Sequence, residues 1–211
     1  MRSRKKLNKR KIFIAAVFTA IIIITVICID IKIKNKIEQI SIYYCNISVS
    51  EIINKSVSKT LNDNNTEYSD LVYELYDANN NLSSVKVKTD KLNILQTQII
   101  SDINRQLLNN SKNKIKIPLG TVSGSYLFSG RGPEIEIKFL PSGSVSSALN
   151  SELTSAGINQ SCHKISMNIT ADITAVFPSG SCNTSVQLNC ILAESVIIGE
   201  VPDGIIGENI S

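Results

Sequence analysis

Tryptophan is absent, histidine occurs once as His163, and aromatic residues make up 5% of the chain. A ligand pocket walled by aromatics is therefore not prefigured. One histidine beside five scattered cysteines (Cys28, Cys45, Cys162, Cys182 and Cys190) leaves no CxxC pair and no Cys/His spacing that would hold zinc. The only GxG, at Gly130-Arg131-Gly132, is followed by Pro133 and a strand pattern rather than a helix. A phosphate loop needs a helix N-terminus there, so the glycines read as a turn with positive φ. No metal ligand, cofactor-binding residue or catalytic residue is assigned, and no cofactor is expected.

A basic binding surface is also missing. The formal net charge is +4, but the first eleven residues alone carry +7 (Arg2, Arg4, Lys5, Lys6, Lys9, Arg10, Lys11), so the rest of the chain is net −3. Nucleic-acid binding needs a basic face on the folded part, and no nucleic-acid partner is expected. The abundance of Ile, Asn, Lys and Ser is what AT-rich codons produce, so bulk composition says little about function.

What is present is one long apolar run. Residues 12–29, IFIAAVFTAIIIITVICI, contain no charge, proline or glycine. As a helix they span about 27 Å, just enough for a hydrocarbon core of roughly 30 Å. A cleaved signal would need a shorter apolar region and a small-x-small site, and ICIDIKIKN offers none. A buried core helix sits poorly with seven preceding cations. The run reads as an uncleaved transmembrane signal-anchor, with the lipid bilayer as its partner. Seven cations before it against Lys32, Lys34 and Lys36 after it put the N-terminus in the cytoplasm.

The expected organisation is a basic cytoplasmic tail (1–11), the anchor (12–29), a juxtamembrane helix (30–62), one extracytoplasmic α+β domain (68–203) and a C-terminal tail (204–211). In the juxtamembrane segment Ile37, Ile40, Tyr44 and Ile47, then Ile53, Val57 and Leu61, form the apolar stripe. Residues 71–76 and 84–88 read as two short strands around an Asn/Asp-rich turn. Leu92, Leu95, Ile99, Ile103 and Leu107 give the next helix its apolar face, with Thr89 or Asp90 as cap. Residues 115–143 read as strand broken by glycines.

The strongest pattern is C-terminal. Ile165, Met167, Ile169, Ala171, Ile173, Ala175 and Phe177 alternate with polar residues, PSGS follows, and Val186, Leu188, Cys190 and Leu192 alternate again. This is a long antiparallel hairpin, buried on one face. A turn centred between Ser179 and Gly180 would place Cys190 opposite Ile169 and Cys182 opposite Phe177, with Cys162 on the other face. That register allows no cross-strand disulfide among Cys162, Cys182 and Cys190, although a bulge would reopen the question. On the same strand Ser161, His163 and Ile165 point together, and Ser161 or Ser166 is the nearest hydroxyl in sequence to His163. No nucleophile elbow or oxyanion loop accompanies them. Glu134 and Glu136, the candidate carboxylate pair, fall on a solvated strand face.

The order of short motifs carries one further signal. IPLG at 117–120, GP and a strand at 132–140, PSGSV at 141–145, SAGINQ at 155–160 with His163 and Ile165 after it, and AESVIIGEVP at 193–202 resemble the YunB sporulation protein family. Gly204 after VPD departs from the pattern, where an aromatic is expected nearby, and the cysteines are a second departure. The resemblance implies a role in endospore formation, expression in the mother cell and an anchor in the membrane around the forespore. It carries over no catalytic residue. The expectation is a non-enzymatic structural or assembly protein that docks on itself or on other sporulation membrane proteins. The alternative is an extracytoplasmic binding module for a cell-wall fragment or small ligand.

Overall fold

The computed structural model describes residues 9–78, 82–111, 114–124, 126–157 and 160–198. The side chains at 9–12, 15, 26, 28–30 and 123 also lie outside the described set. A 55-residue helix, α1 (Lys9–Asp63), leads into a single turn, α2 (Tyr68–Leu71), and a hairpin of β1 (Val72–Tyr76) and β2 (Leu82–Val87). Then come helix α3 (Thr89–Asn110), β3 (Ile115–Pro118), a one-turn helix α4 (Leu119–Ser123), β4 (Glu134–Pro141), β5 (Ser146–Ser155), β6 (Gln160–Phe177) and β7 (Gly180–Ile198). The α+β class, the antiparallel sheet and the C-terminal hairpin agree with the sequence.

The sheet is built around β6. β7 pairs with it along its whole length on one side. On the other side β5 takes residues 161–170 and β4 takes 173–176, with β3 outside β4. Ile165, Met167, Ile169, Ala171, Ile173 and Ala175 are completely buried on one face. That face is covered by α1 and by α3, whose Leu92, Leu95, Ile99, Ile103 and Leu107 are all buried as their spacing requires. Lys88, rather than Thr89 or Asp90, occupies the N-cap of α3. Its ammonium donates to the Ser69 carbonyl at 2.8 Å and lies 4.6 Å from the centre of the Tyr73 ring.

The stripe on α1 differs from the expected one. The buried positions are Ile37, Ser41, Cys45, Val49, Ile53 and Val57, with Ile52, Ser56 and Thr60 beside them, whereas Ile47 is exposed. Strict four-residue steps advance about 40° per step around a helix of 3.6 residues per turn, so the stripe winds around α1. Ser41 fits because its hydroxyl donates to the Ile37 carbonyl at 2.6 Å, and Thr60 does the same to Ser56 at 2.8 Å. At the other end of α1, Phe13, Ile14, Val17, Phe18, Ile21, Ile22, Ile23, Ile24, Ile27 and Ile31 are all exposed. Among the described residues no helix is long and apolar enough to cross a membrane.

Two hairpin details are corrected. Phe177 faces Gly180 across a two-residue loop of Pro178 and Ser179, so Cys190 lies opposite Met167 and Cys182 opposite Ala175. Proline presets φ for the first loop position, which draws the turn one residue toward the N-terminus. This displacement keeps the parity, so the buried set is unchanged. A bulge then falls between Ile165 and Ser166, where Leu192 is the extra residue and Ala193 takes the place opposite Ile165. The bulge pairs Cys162 with Val196, not with a cysteine, and Cys45, Cys162, Cys182 and Cys190 are free thiols.

Candidate functional site

His163 is the best-connected polar residue of the sheet. It enters on β6, 5% exposed, on the same face as Ile165. Leu153 of β5 sits directly opposite, and Ser151 lies one pair further along on that face. Ser151 Oγ is 2.9 Å from His163 Nε2, and Tyr68 of α2 brings its hydroxyl to 2.6 Å from Nδ1. The Tyr68 and His163 rings meet edge to face, centroids 5.6 Å apart. Neither Ser161 nor Ser166, the sequence neighbours, is the partner. Ser151 comes from another strand and Tyr68 from 95 residues away, and no local pattern announces either.

Electrostatics make this a neutral cluster. Burial holds the His163 imidazole below its ordinary value of 6.5. Burial first, then Glu74 and Cys162, push the Tyr68 phenol up. At neutral pH both groups are uncharged, so one tautomer applies at a time. Either Tyr68 donates to Nδ1 and Nε2–H donates to Ser151, or Ser151 donates to Nε2 and Nδ1–H donates to Tyr68. A Ser-His pair that works as a nucleophile and base is oriented by a group that stabilises imidazolium, usually a carboxylate. A neutral phenol does not, and a depressed imidazole is a weaker base. The cluster is suited to buckling α2, β5 and β6 together and to presenting hydroxyls. It faces a cleft of about 570 Å³ between β2 and the β5–β6 edge, with Ser83, Val85, Ser151, Leu153, Ser161 and His163 on its walls. Its described walls carry no aromatic ring apart from the imidazole.

The other sequence candidates are tied up structurally. Glu134 pairs across strands with Lys116 at 3.3 Å, and Glu136 with Lys114 at 2.5 Å. Hydrogen bonding from Lys114 holds the Glu136 carboxyl below its usual range against a smaller opposing effect of burial. Gly130 and Gly132 have φ of 75° and 97°, as the turn reading requires. Among the described residues no group of three or more His, Cys, Asp or Glu could hold a metal.

A second buried polar cluster was not visible in the sequence. Asp102 of α3 accepts from Gln106 Nε2 at 2.6 Å and from Arg105, with Lys59 of α1 at 3.7 Å. Gln106 also donates to the buried Ser56 hydroxyl at 2.8 Å. Burial raises the Asp102 carboxyl, but the hydrogen bonds and the two cations outweigh it and leave it below its ordinary value. The cluster joins α1 to α3 and is architectural.

Residues 114–204, from the approach to β3 past the end of β7, match the family model described as Sporulation protein YunB. Sporulation protein YunB of Bacillus subtilis (strain 168) is 24% identical over 163 residues, covering 72% of this chain and 64% of that relative. The alignment therefore spans just under two thirds of the relative's length. No solved structure matches. Over the sheet that carries the matched stretch, the chain is similar to the YunB sporulation protein family.

Proposed function

We propose that this chain is a sporulation protein held at the cell membrane by the N-terminal part of α1, with its sheet domain outside the cytoplasm in a non-enzymatic assembly role. The family match supports the sporulation part. The anchor reading rests on the uncharged run 12–29 behind seven cations, and on the ring of exposed apolar side chains from Phe13 to Ile31. A helix that is apolar on all sides needs an apolar surround. In this reading the membrane is the mother-cell membrane around the forespore.

The observation that carries the assembly role is the outer edge of β7. Among the described residues, no strand pairs with it over its 19 residues, and Glu194 is the only charge it contains. Long edges without Lys or Pro are templates for another strand. The partner is a second copy or another sporulation membrane protein. In-cell crosslinking of the full chain during sporulation tests this. Crosslinked species that disappear with Ser185→Lys plus Gln187→Lys are expected, and a chain that stays monomeric throughout would contradict the assembly role. The cleft at His163 favours a second reading, a hydroxyl-rich binding site for a cell-wall fragment. Saturable binding of soluble muropeptides, lost in Ser151→Leu, would favour it instead.

A further inference from the structure

Three consecutive large apolar side chains stand out of the domain surface: Tyr126 at 97%, Leu127 at 75% and Phe128 at 61% exposure. They lie on the loop between α4 and β4, where a solvated loop would carry polar residues. The backbone around them is well tied. Leu119 N–H donates to Pro133 O and Gly120 N–H to Arg131 O, both at 2.8 Å, Arg131 N–H donates to Phe128 O at 3.0 Å, and Gly130 N–H to Thr121 Oγ1 at 3.1 Å. A side chain at Gly120 would collide with the carbonyl oxygens of Phe128 and Arg131, so the loop closes onto α4 only because that position is glycine. The apolar tip is thus held in place by a defined turn.

Its position on α1 gives it meaning. Phe128, Leu119 and Arg131 share a cleft of about 250 Å³ with Ile33 of α1. Close by, a side chain at Gly124 would meet the Lys36 ammonium. Helix α1 is continuous through this point. Ile33 is four residues beyond Ile29, about 6 Å along the helix axis. The headgroup zone on each side of the hydrocarbon core is about 5–7 Å deep. The loop therefore meets α1 at headgroup height, among exposed Lys32, Lys34 and Arg131. Tyrosine and apolar side chains with cations around them are what an anionic bilayer interface receives.

We propose that residues 126–128 form a second membrane contact, seated in the interface of the same bilayer that holds residues 12–29, with Arg131 beside the lipid phosphates. The contact would fix the sheet domain at a set tilt and height instead of letting it swing on α1. The proposal rests on the anchor reading.

The absence of tryptophan makes the test direct. The full chain is reconstituted in vesicles of phosphatidylcholine and phosphatidylglycerol as three single-tryptophan variants: Leu127→Trp in the loop, Phe18→Trp in the anchor and Tyr76→Trp on the β1–β2 hairpin beyond the far end of α1. Lipids brominated near the headgroup end of the acyl chain serve as quenchers. The expected result is strong loss of emission for Leu127→Trp and Phe18→Trp and none for Tyr76→Trp. Quenching of Phe18→Trp alone, with Leu127→Trp either open to aqueous acrylamide or shielded from it without lipid quenching, would overturn the loop contact and leave the anchor standing. No quenching of Phe18→Trp would remove the anchor and the proposal with it.

Discussion

His163 is held by partners that are not its sequence neighbours. Its two ring nitrogens are both occupied, by Tyr68 and Ser151, and burial depresses its proton affinity. His163→Ala leaves the half-buried Tyr68 phenol unpaired and is expected to cost about 1–2 kcal/mol in denaturant unfolding. The pH dependence has a definite sign. The unfolded imidazole takes up a proton near its ordinary value of 6.5, while the folded one resists. Below that pH the unfolded state binds more protons, so the contribution is present above about pH 6.5 and is lost as pH falls toward the lower folded value. Stability measured from pH 8 down to pH 5 should decline, and less steeply in His163→Ala. Asp102 behaves differently. Its carboxyl is held low in the fold, so its contribution is present above its ordinary value of 3.8 and is lost as pH falls through the lower folded value. Asp102→Ala should cost about 1–3 kcal/mol at neutral pH and almost nothing in strong acid. Cys45, raised to about 11 by burial and by the nearby Cys182 thiol, should resist alkylation at pH 8 until the chain is unfolded.

Among the elements, α3 and the β6–β7 hairpin were legible because their burial is one-sided and periodic. Ile99→Ala on the buried stripe of α3 should cost about 2–5 kcal/mol by denaturant unfolding. β5 was not legible. Its SSALNSELTS is mostly exposed, and it is a strand because β6 offers it ten partners, not because of its own alternation. Tertiary pairing overrides weak local preference. α4 was likewise hidden inside a strand-like stretch, set by the close approach at Gly120. The polar face of the hairpin is half exposed, as the alternation implies, but the register adds a constraint. Lys164 stands between Glu152 and Glu194 on the flanking strands. Lys164→Glu would line up three carboxylates and should lower stability by about 1 kcal/mol. Asp172→Lys, opposite Ser185, should leave the unfolding midpoint unchanged. The Tyr68–His163–Ser151 cluster and the Asp102 cluster depend on contacts 12 to 95 residues apart, beyond any local pattern.

For the whole molecule, α1 is the organising piece. At 1.5 Å per residue its 55 residues run about 80 Å. Its C-terminal half is part of the core, packed on α3, β6 and β7. Ahead of Ile33, its apolar side chains from Phe13 to Ile31 stand exposed. The sequence shows this division through charge and apolar content, but the winding stripe with Ser41 and Cys45 inside it became apparent only from the packing. In the reading proposed above, a rigid helix of this kind ties domain orientation to the bilayer, and the β7 edge then faces neighbours in the same membrane. The measurement that tests this account most directly is a count of heat-resistant spores in a deletion strain of the native host. The strain is complemented either by the intact chain or by a chain lacking residues 12–29. The account predicts a clear drop on deletion, recovery with the intact chain and no recovery without the anchor. An unchanged count on deletion would contradict the sporulation role, and full recovery by the shortened chain would contradict the membrane-anchored one.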